Sequence, residues 1–217
     1  MNEILNFIDD CYIINLDKRP DRWEEITNHL KDLNITKYQR FSAVENVEHP
    51  LIGSSMSHYN VIKNAYLNNQ KYIMVLEDDC IFIDPYRLNY SDILGFLKNN
   101  YFDVFYLGIT VERHCMKYVN SYIGKVTSVC TTAHCVICNV DSIYAKMKSD
   151  YPDENQMIDF FEANAFNHGI ISLDGWYNNM NLVRYFSVPT VADQRKSYSN
   201  VLNMVVNYKM TQQAHLR

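Results

Sequence analysis

Residues 71–84 read KYIMVLEDDCIFID. An unbroken apolar run from Tyr72 to Leu76 ends in three adjacent carboxylates, Glu77, Asp78 and Asp79, and the chain then turns apolar again. The run shows no polar–apolar alternation. That predicts a strand buried on both faces, as in a parallel sheet. Cys11–Leu16, Asp103–Ile109 and Ala133–Cys138 have the same character, and Phe41–Val44 reads as a further short strand. Between these runs the spacing becomes helical. Pro20 opens a helix with Trp23, Ile26, Leu30 and Leu33 on one face, which Asn34 closes. Ser57–Asn68 turns Val61, Ile62, Ala65 and Tyr66 inward, and Met157–Phe166 is a third helix. Asp141 is placed to cap the helix after Ala133–Cys138. Strands alternating with helices predict an α/β sandwich of Rossmann type, with a mainly parallel central sheet flanked by helices. In such folds ligands bind beyond the carboxyl ends of the strands, where the acidic triplet stands.

The chain has 217 residues, 47% of them apolar and 21% charged, with 6 Gly and 5 Pro and no low-complexity tract. These numbers predict one domain over residues 1–217. Net charge is −5 and no Lys/Arg cluster occurs, which speaks against nucleic acid and anionic membranes as partners. No window approaches the ~18 apolar residues of a membrane span. The opening MNEILNFIDD lacks the features of a secretory signal, so a cytoplasmic protein is expected. The six cysteines include a Cys135-Val-Ile-Cys138 spacing, but it lies inside an apolar strand and has no second pair. Small buried thiols are the better reading than zinc or disulfides. Heavy use of Asn, Lys, Ile and Tyr points to an AT-rich genome, such as a low-GC bacterium or a large DNA virus; in a virus the setting is the host cytoplasm or the virion.

Three neighbouring carboxylates repel, and burying them uncompensated is costly. On an extended chain Glu77 and Asp79 project to one side and Asp78 to the other. A hard cation such as Mg²⁺ or Mn²⁺ relieves the facing pair, with phosphate oxygens completing its shell. The alternative is a solvated turn or a helix cap. Arg19 and Arg22 follow the first strand, where a diphosphate would lie, although either can instead pair with Asp17, Asp21 or Glu25. Gly53-Ser-Ser-Met-Ser-His58 reads as a helix start, whose amino terminus favours anions.

In this order the motifs resemble glycosyltransferase family 25, which includes bacterial lipooligosaccharide galactosyltransferases and collagen hydroxylysine galactosyltransferases. The resemblance rests on Asn15, Leu16, Arg19 and Arg22, then Ser57 and His58, then Glu77, Asp78 and Asp79. It continues through Thr132-Ala-His-Cys-Val-Ile-Cys138, Leu173-Asp174 and Pro189-Thr-Val-Ala-Asp-Gln194, and covers about residues 11 to 200. It implies a GT-A-like fold, a UDP-sugar donor and Mn²⁺ (or Mg²⁺), with transfer of a hexose to a hydroxyl of a glycan or glycoprotein acceptor by inversion. Asp79 and Glu77 would then hold the metal. Leu16, Arg19, Arg22, Ser57, His58, Asp78 and Gln194 would line the donor site, and Asp174 would be the base that takes the acceptor proton. An Asx turn is the plainer role for Asp174. His134 and His168 are candidates for a further metal ligand or for core histidines, and Trp176 and Tyr177 for acceptor stacking or for core. The rival reading is an inert GT-A-like protein that binds a glycan or a partner.

Overall fold

The structure is a computed structural model, described here for residues 1–83, 90–150, 154–164, 166, 167, 169, 172–199 and 204–206. The main sheet has eight strands in the order β2-β1-β3-β8-β5-β9-β7-β6. These are β1 (Asp10–Asn15), β2 (Gln39–Ser42), β3 (Tyr72–Glu77), β5 (Val104–Thr110), β6 (Met116–Tyr118), β7 (Ile123–Val126), β8 (Thr131–Asn139) and β9 (Arg184–Ser187). Strands β4 (Cys80–Phe82) and β10 (Ala192–Gln194) form a separate antiparallel ribbon, as do β11 (Ser197–Ser199) and β12 (Met204–Val206). The helices are α1 (Asn2–Phe7), α2 (Pro20–Asp32), α3 (Pro50–Leu67), α4 (Tyr90–Asn99), α5 (Val140–Asp150), α6 (Glu154–Ala163) and α7 (Leu173–Asn179).

The architecture is mixed α/β with a central sheet between two helical layers. Alternate residues of the doubly buried β3 serve the two faces. Ile73 and Val75 join α3, α5, α6 and α7 on one side, while Met74 and Leu76 join α1, α2 and α4 on the other. Strands β2, β1 and β3 are parallel neighbours, and β5 pairs parallel with β9. The expectation of a mainly parallel sheet needs one correction. β8 inserts between β3 and β5 antiparallel to both, and β7 runs antiparallel to β6 and β9, so the pairing is mixed. An apolar run buried on both faces does not encode direction, which is why the sequence did not reveal this.

Two local readings also change. α3 begins at Pro50 rather than at Ser57, with Asn46 Oδ1 accepting the His49 N–H at its entrance. The side chain that caps α5 is Asn139, whose Oδ1 accepts from Ser142 N at 3.4 Å, and not Asp141 in the first turn. α2 starts at Pro20 as its sequence predicts, and just beyond its end Asn34 takes a positive φ of 55°. All six cysteines are buried free thiols. No helix among the described residues is long and apolar enough to cross a membrane.

The connections create a crevice. α2 joins β1 to β2 over one face, and α3 carries the chain back over the other face to β3, on the far side of β1. Strand order therefore reverses between β1 and β3, and the crevice opens at their carboxyl ends.

Candidate functional site

Asn15 closes β1 and Glu77 closes β3, so both sides of the crevice end in polar residues. After Glu77 the chain turns through Asp78 and Asp79 before entering β4. The triplet divides as its spacing predicts. Asp78 turns to β1 and α2: its Oδ2 accepts from Asn15 Nδ2 at 2.7 Å, and its Oδ1 pairs with Arg22 NH1 at 2.7 Å. Glu77 and Asp79 face together toward β10, where the Gln194 carboxamide nitrogen lies 3.4 Å from Glu77 Oε2 and 3.4 Å from Asp79 Oδ1. Arg22 is 3.8 Å from Asp79 Oδ2. One guanidinium thus serves two of three carboxylates.

The electrostatic result is a pair of carboxyls that resist ionisation. Burial chiefly, then Asp174 and Asp78, raise Glu77 to about 8 against the pull of Arg22. The Glu77 side chain still keeps 31% of its surface open, so its carboxyl borders the crevice. Burial and then Glu77 raise Asp79 to about 7. Gln194 Oε1 is buried with no partner among the described residues. No group of three or more His, Cys, Asp or Glu side chains converges to hold a metal among the described residues. A cation here would take Glu77 and Asp79 and complete its shell with water or phosphate oxygens, the habit of Mg²⁺ and Mn²⁺. The two undercompensated carboxylates fit that role.

Asp174 opens α7 and stays partly accessible. Its Oδ2 accepts from Thr132 N at 2.9 Å and its Oδ1 from Ala133 N at 3.0 Å. Thr132 has φ 63°, an uncommon conformation for a β-branched residue, and the carboxylate clamps the backbone there. Burial raises the Asp174 pKa, while these two amides lower it.

Other expected site residues have different surroundings. Arg19 makes a two-atom ion pair with Asp21 on the surface, with Nε–Oδ1 at 2.9 Å and NH2–Oδ2 at 2.7 Å, the pairing weighed against a donor role. Leu16 is half-buried, and its carbonyl accepts Arg19 N at 2.9 Å in the turn leading to α2. Ser57 and His58 lie in the middle of α3, so the expected helix-start anion site at these residues is corrected. Ser57 Oγ accepts Val44 N at 2.8 Å and donates to Gly53 O at 2.7 Å, joining the loop after β2 to α3. His58 is buried, neither ring nitrogen is hydrogen-bonded among the described residues, and Nε2 is 3.8 Å from Glu77 Oε1. Burial lowers it to about 4, although Asp174 pulls the other way. It borders the site through Glu77.

His134 does not complete a metal cluster. Its ring packs over Gly108, where a Cβ would lie 2.1 Å from Nε2, and burial lowers it to about 4. It is a core histidine. His168 lies outside the described residues. Trp176 and Tyr177 are 2% and 0% exposed, which removes them as stacking platforms. Sequence reasoning did not give Asn15 a site role. It orients Asp78 while its own Oδ1 accepts from Arg40 Nε at 2.9 Å. The available signal was an amide side chain closing an apolar strand.

No family model and no curated protein matches the chain. Among solved structures it is similar to A197 from STIV, with a TM-score of 0.46 and 10% identity, covering 82% of this chain and 80% of that one.

Proposed function

We propose that this chain is a GT-A-like, metal-dependent glycosyltransferase that moves a hexose from a UDP-sugar to a hydroxyl of a glycan or protein acceptor, with inversion. The carrying observation is the pair Glu77 and Asp79, undercompensated and side by side at the crevice where strand order reverses. The ordered motifs that resemble glycosyltransferase family 25 support the same reading. In it Glu77 and Asp79 hold Mn²⁺ or Mg²⁺. The ion's contribution when bound is to offset charge on the departing diphosphate, worth several kcal/mol. Asp78 holds Arg22 at the crevice wall, where its positive charge faces the nucleotide phosphates. Gln194 bridges the two carboxyls, and Leu16, in the turn between β1 and α2, would line the nucleotide. Asp174 takes the acceptor proton: each oxygen accepts one amide hydrogen bond and retains a lone pair.

The experiment is calorimetric titration with UDP, with Mn²⁺ and with EDTA, beside an assay of UDP release from common UDP-sugars. Mn²⁺-dependent UDP binding that Asp79→Ala abolishes, together with UDP release by the wild type, is the expected result. UDP affinity indifferent to both EDTA and Asp79→Ala overturns the proposal. The second reading, an inert binding protein of the same fold, is favoured by the engagement of both Asp174 oxygens with backbone amides. It predicts UDP or glycan binding with no UDP release from any donor.

A further inference from the structure

A large apolar side chain left in solvent is informative when it sits beside a cavity at the ligand-binding end of a sheet. Phe166 is 93% exposed. Its ring meets His49 edge-on at a centroid distance of 5.7 Å. A shallow cavity of about 610 Å³, open to solvent over most of its boundary, lies beside it, lined by Ala163, Asn164, Phe166 and Asn167. The Asn164 carboxamide is fixed on the last turn of α6 by donation to Phe160 O at 2.8 Å.

The position of the cavity follows from the topology. α3 enters from the carboxyl end of β2, so His49 stands at the same end of the sheet as the crevice. From His49 the helix runs roughly 13 Å to His58, which borders Glu77. The exposed ring is thus linked to the proposed metal carboxylates through His49 and α3.

The lining chemistry selects a ligand class. The cavity has no ionisable side chain among the described residues that line it. It offers one aromatic face and two carboxamides. A pyranose presents a face of weakly positive C–H groups to the negative face of a ring, and a rim of hydroxyls to amides. We propose that Phe166, Asn164 and Asn167 form the acceptor subsite and take a neutral pyranose unit of a glycan, stacked on Phe166. This inference rests on the glycosyltransferase reading.

The test is saturation-transfer NMR on the full chain, with methyl glycosides of glucose, galactose and N-acetylglucosamine and with lactose as probes. Wild type, Phe166→Ala and Phe166→Trp are compared, and each is titrated with UDP and Mn²⁺ as a reference. Phe166 is solvent-exposed, so its truncation leaves the core intact. Saturation should reach the ring protons of at least one sugar. Phe166→Ala should weaken that binding about three- to tenfold, the scale of one aromatic contact, and Phe166→Trp should restore it. Absence of saturation for every probe, or equal affinity in wild type and Phe166→Ala, overturns the subsite. UDP binding with sugar binding indifferent to Phe166 would sink the subsite and leave the donor reading standing. Sugar binding through Phe166 with no UDP binding would sink the glycosyltransferase reading instead and leave a carbohydrate site.

Discussion

Glu77 and Asp79 share one carboxamide, that of Gln194, and their burial around it makes their protonation a property of the fold. Both bind a proton more tightly folded than unfolded, since burial raises them to about 8 and about 7. Stability from this source is complete below the unfolded carboxyl range of ~4 and is lost as pH rises through 7 and 8. His58 and His134, lowered to about 4 by burial, act oppositely. Their contribution is complete above the unfolded value of ~6.5 and is lost as pH falls toward 4. The carboxyl effect is therefore read cleanly above pH ~6.5. In EDTA the melting temperature should fall between pH 6.5 and 8.5, and Asp79→Asn should flatten that fall, adding on the order of 1–2 kcal/mol at pH 8. A wild-type melting temperature that is flat across this window would count against the assignment. Asp174 demands a different design. Asparagine presents an NH2 where the carboxylate accepts a backbone N–H, so Asp174→Asn should cost roughly 1–3 kcal/mol in urea denaturation. A base additionally predicts a ~10²–10⁴-fold loss of transfer at a temperature where the variant is still folded and binds UDP normally. Stability loss with wild-type turnover would leave Asp174 as a backbone clamp only. The carboxylates themselves were legible because an acidic triplet ending an apolar run is conspicuous. The role of Asn15 and the amide clamp at Asp174 were not, since both depend on partners 63 and 42 residues away.

Helix α3 shows where pattern fails at the scale of an element. Its first turns, Pro50-Leu-Ile-Gly-Ser-Ser-Met-Ser57, are rich in residues of weak helix propensity, so the helical pattern becomes readable only near Ser57. Ile52, Gly53, Ser55, Met56, Ser57, His58 and Tyr59 are all buried, so no polar stripe marks these turns. Packing decides instead. A Cβ on Gly53 would lie 2.6 Å from Val44 O, so a glycine permits the close approach that Ser57 then fixes by its bond to Val44 N. α2, by contrast, has one buried face, a Pro at its start and Asn34 beyond its end, and its bounds are readable. Where β5 meets β8, Gly108 makes room for the His134 ring. Gly108→Ala would drive a methyl into the His134 ring and should destabilise by roughly 1–3 kcal/mol. His134→Ala opens that space, so the double variant should lose less than the sum of the single losses. Additive losses in a double-mutant cycle would show that the two positions do not meet.

At the scale of the molecule, the sheet places its chemistry asymmetrically. Periodicity located β1, α2, β3, β5, β8 and the later turns of α3, but it carried neither α1, α4 and the edge hairpin of β6 and β7 nor the direction of β8, whose pairing partner β3 lies some sixty residues away in sequence. The reversal between β1 and β3 puts Asn15, Arg22, Asp78 and the Glu77–Asp79 pair at one crevice, whereas β6 and β7 lie at the far edge of the same sheet. A nucleotide bound with Mn²⁺ at the reversal should therefore act locally on backbone opening and globally on stability. Ligand at a hundred times its dissociation constant adds ~2.7 kcal/mol, which raises the melting temperature of the whole chain. Hydrogen exchange then locates the source. Amides of residues 16–22 and 77–80 should gain protection from local opening when UDP and Mn²⁺ are added together, and EDTA should reverse the gain. Amides of β6 and β7 that exchange by local opening should keep their rates, because in the sheet β9, β5 and β8 stand between them and the crevice strands. Protection centred on residues 116–126 would move the ligand to the far edge, and the strand-order reversal would lose its standing as the binding crevice.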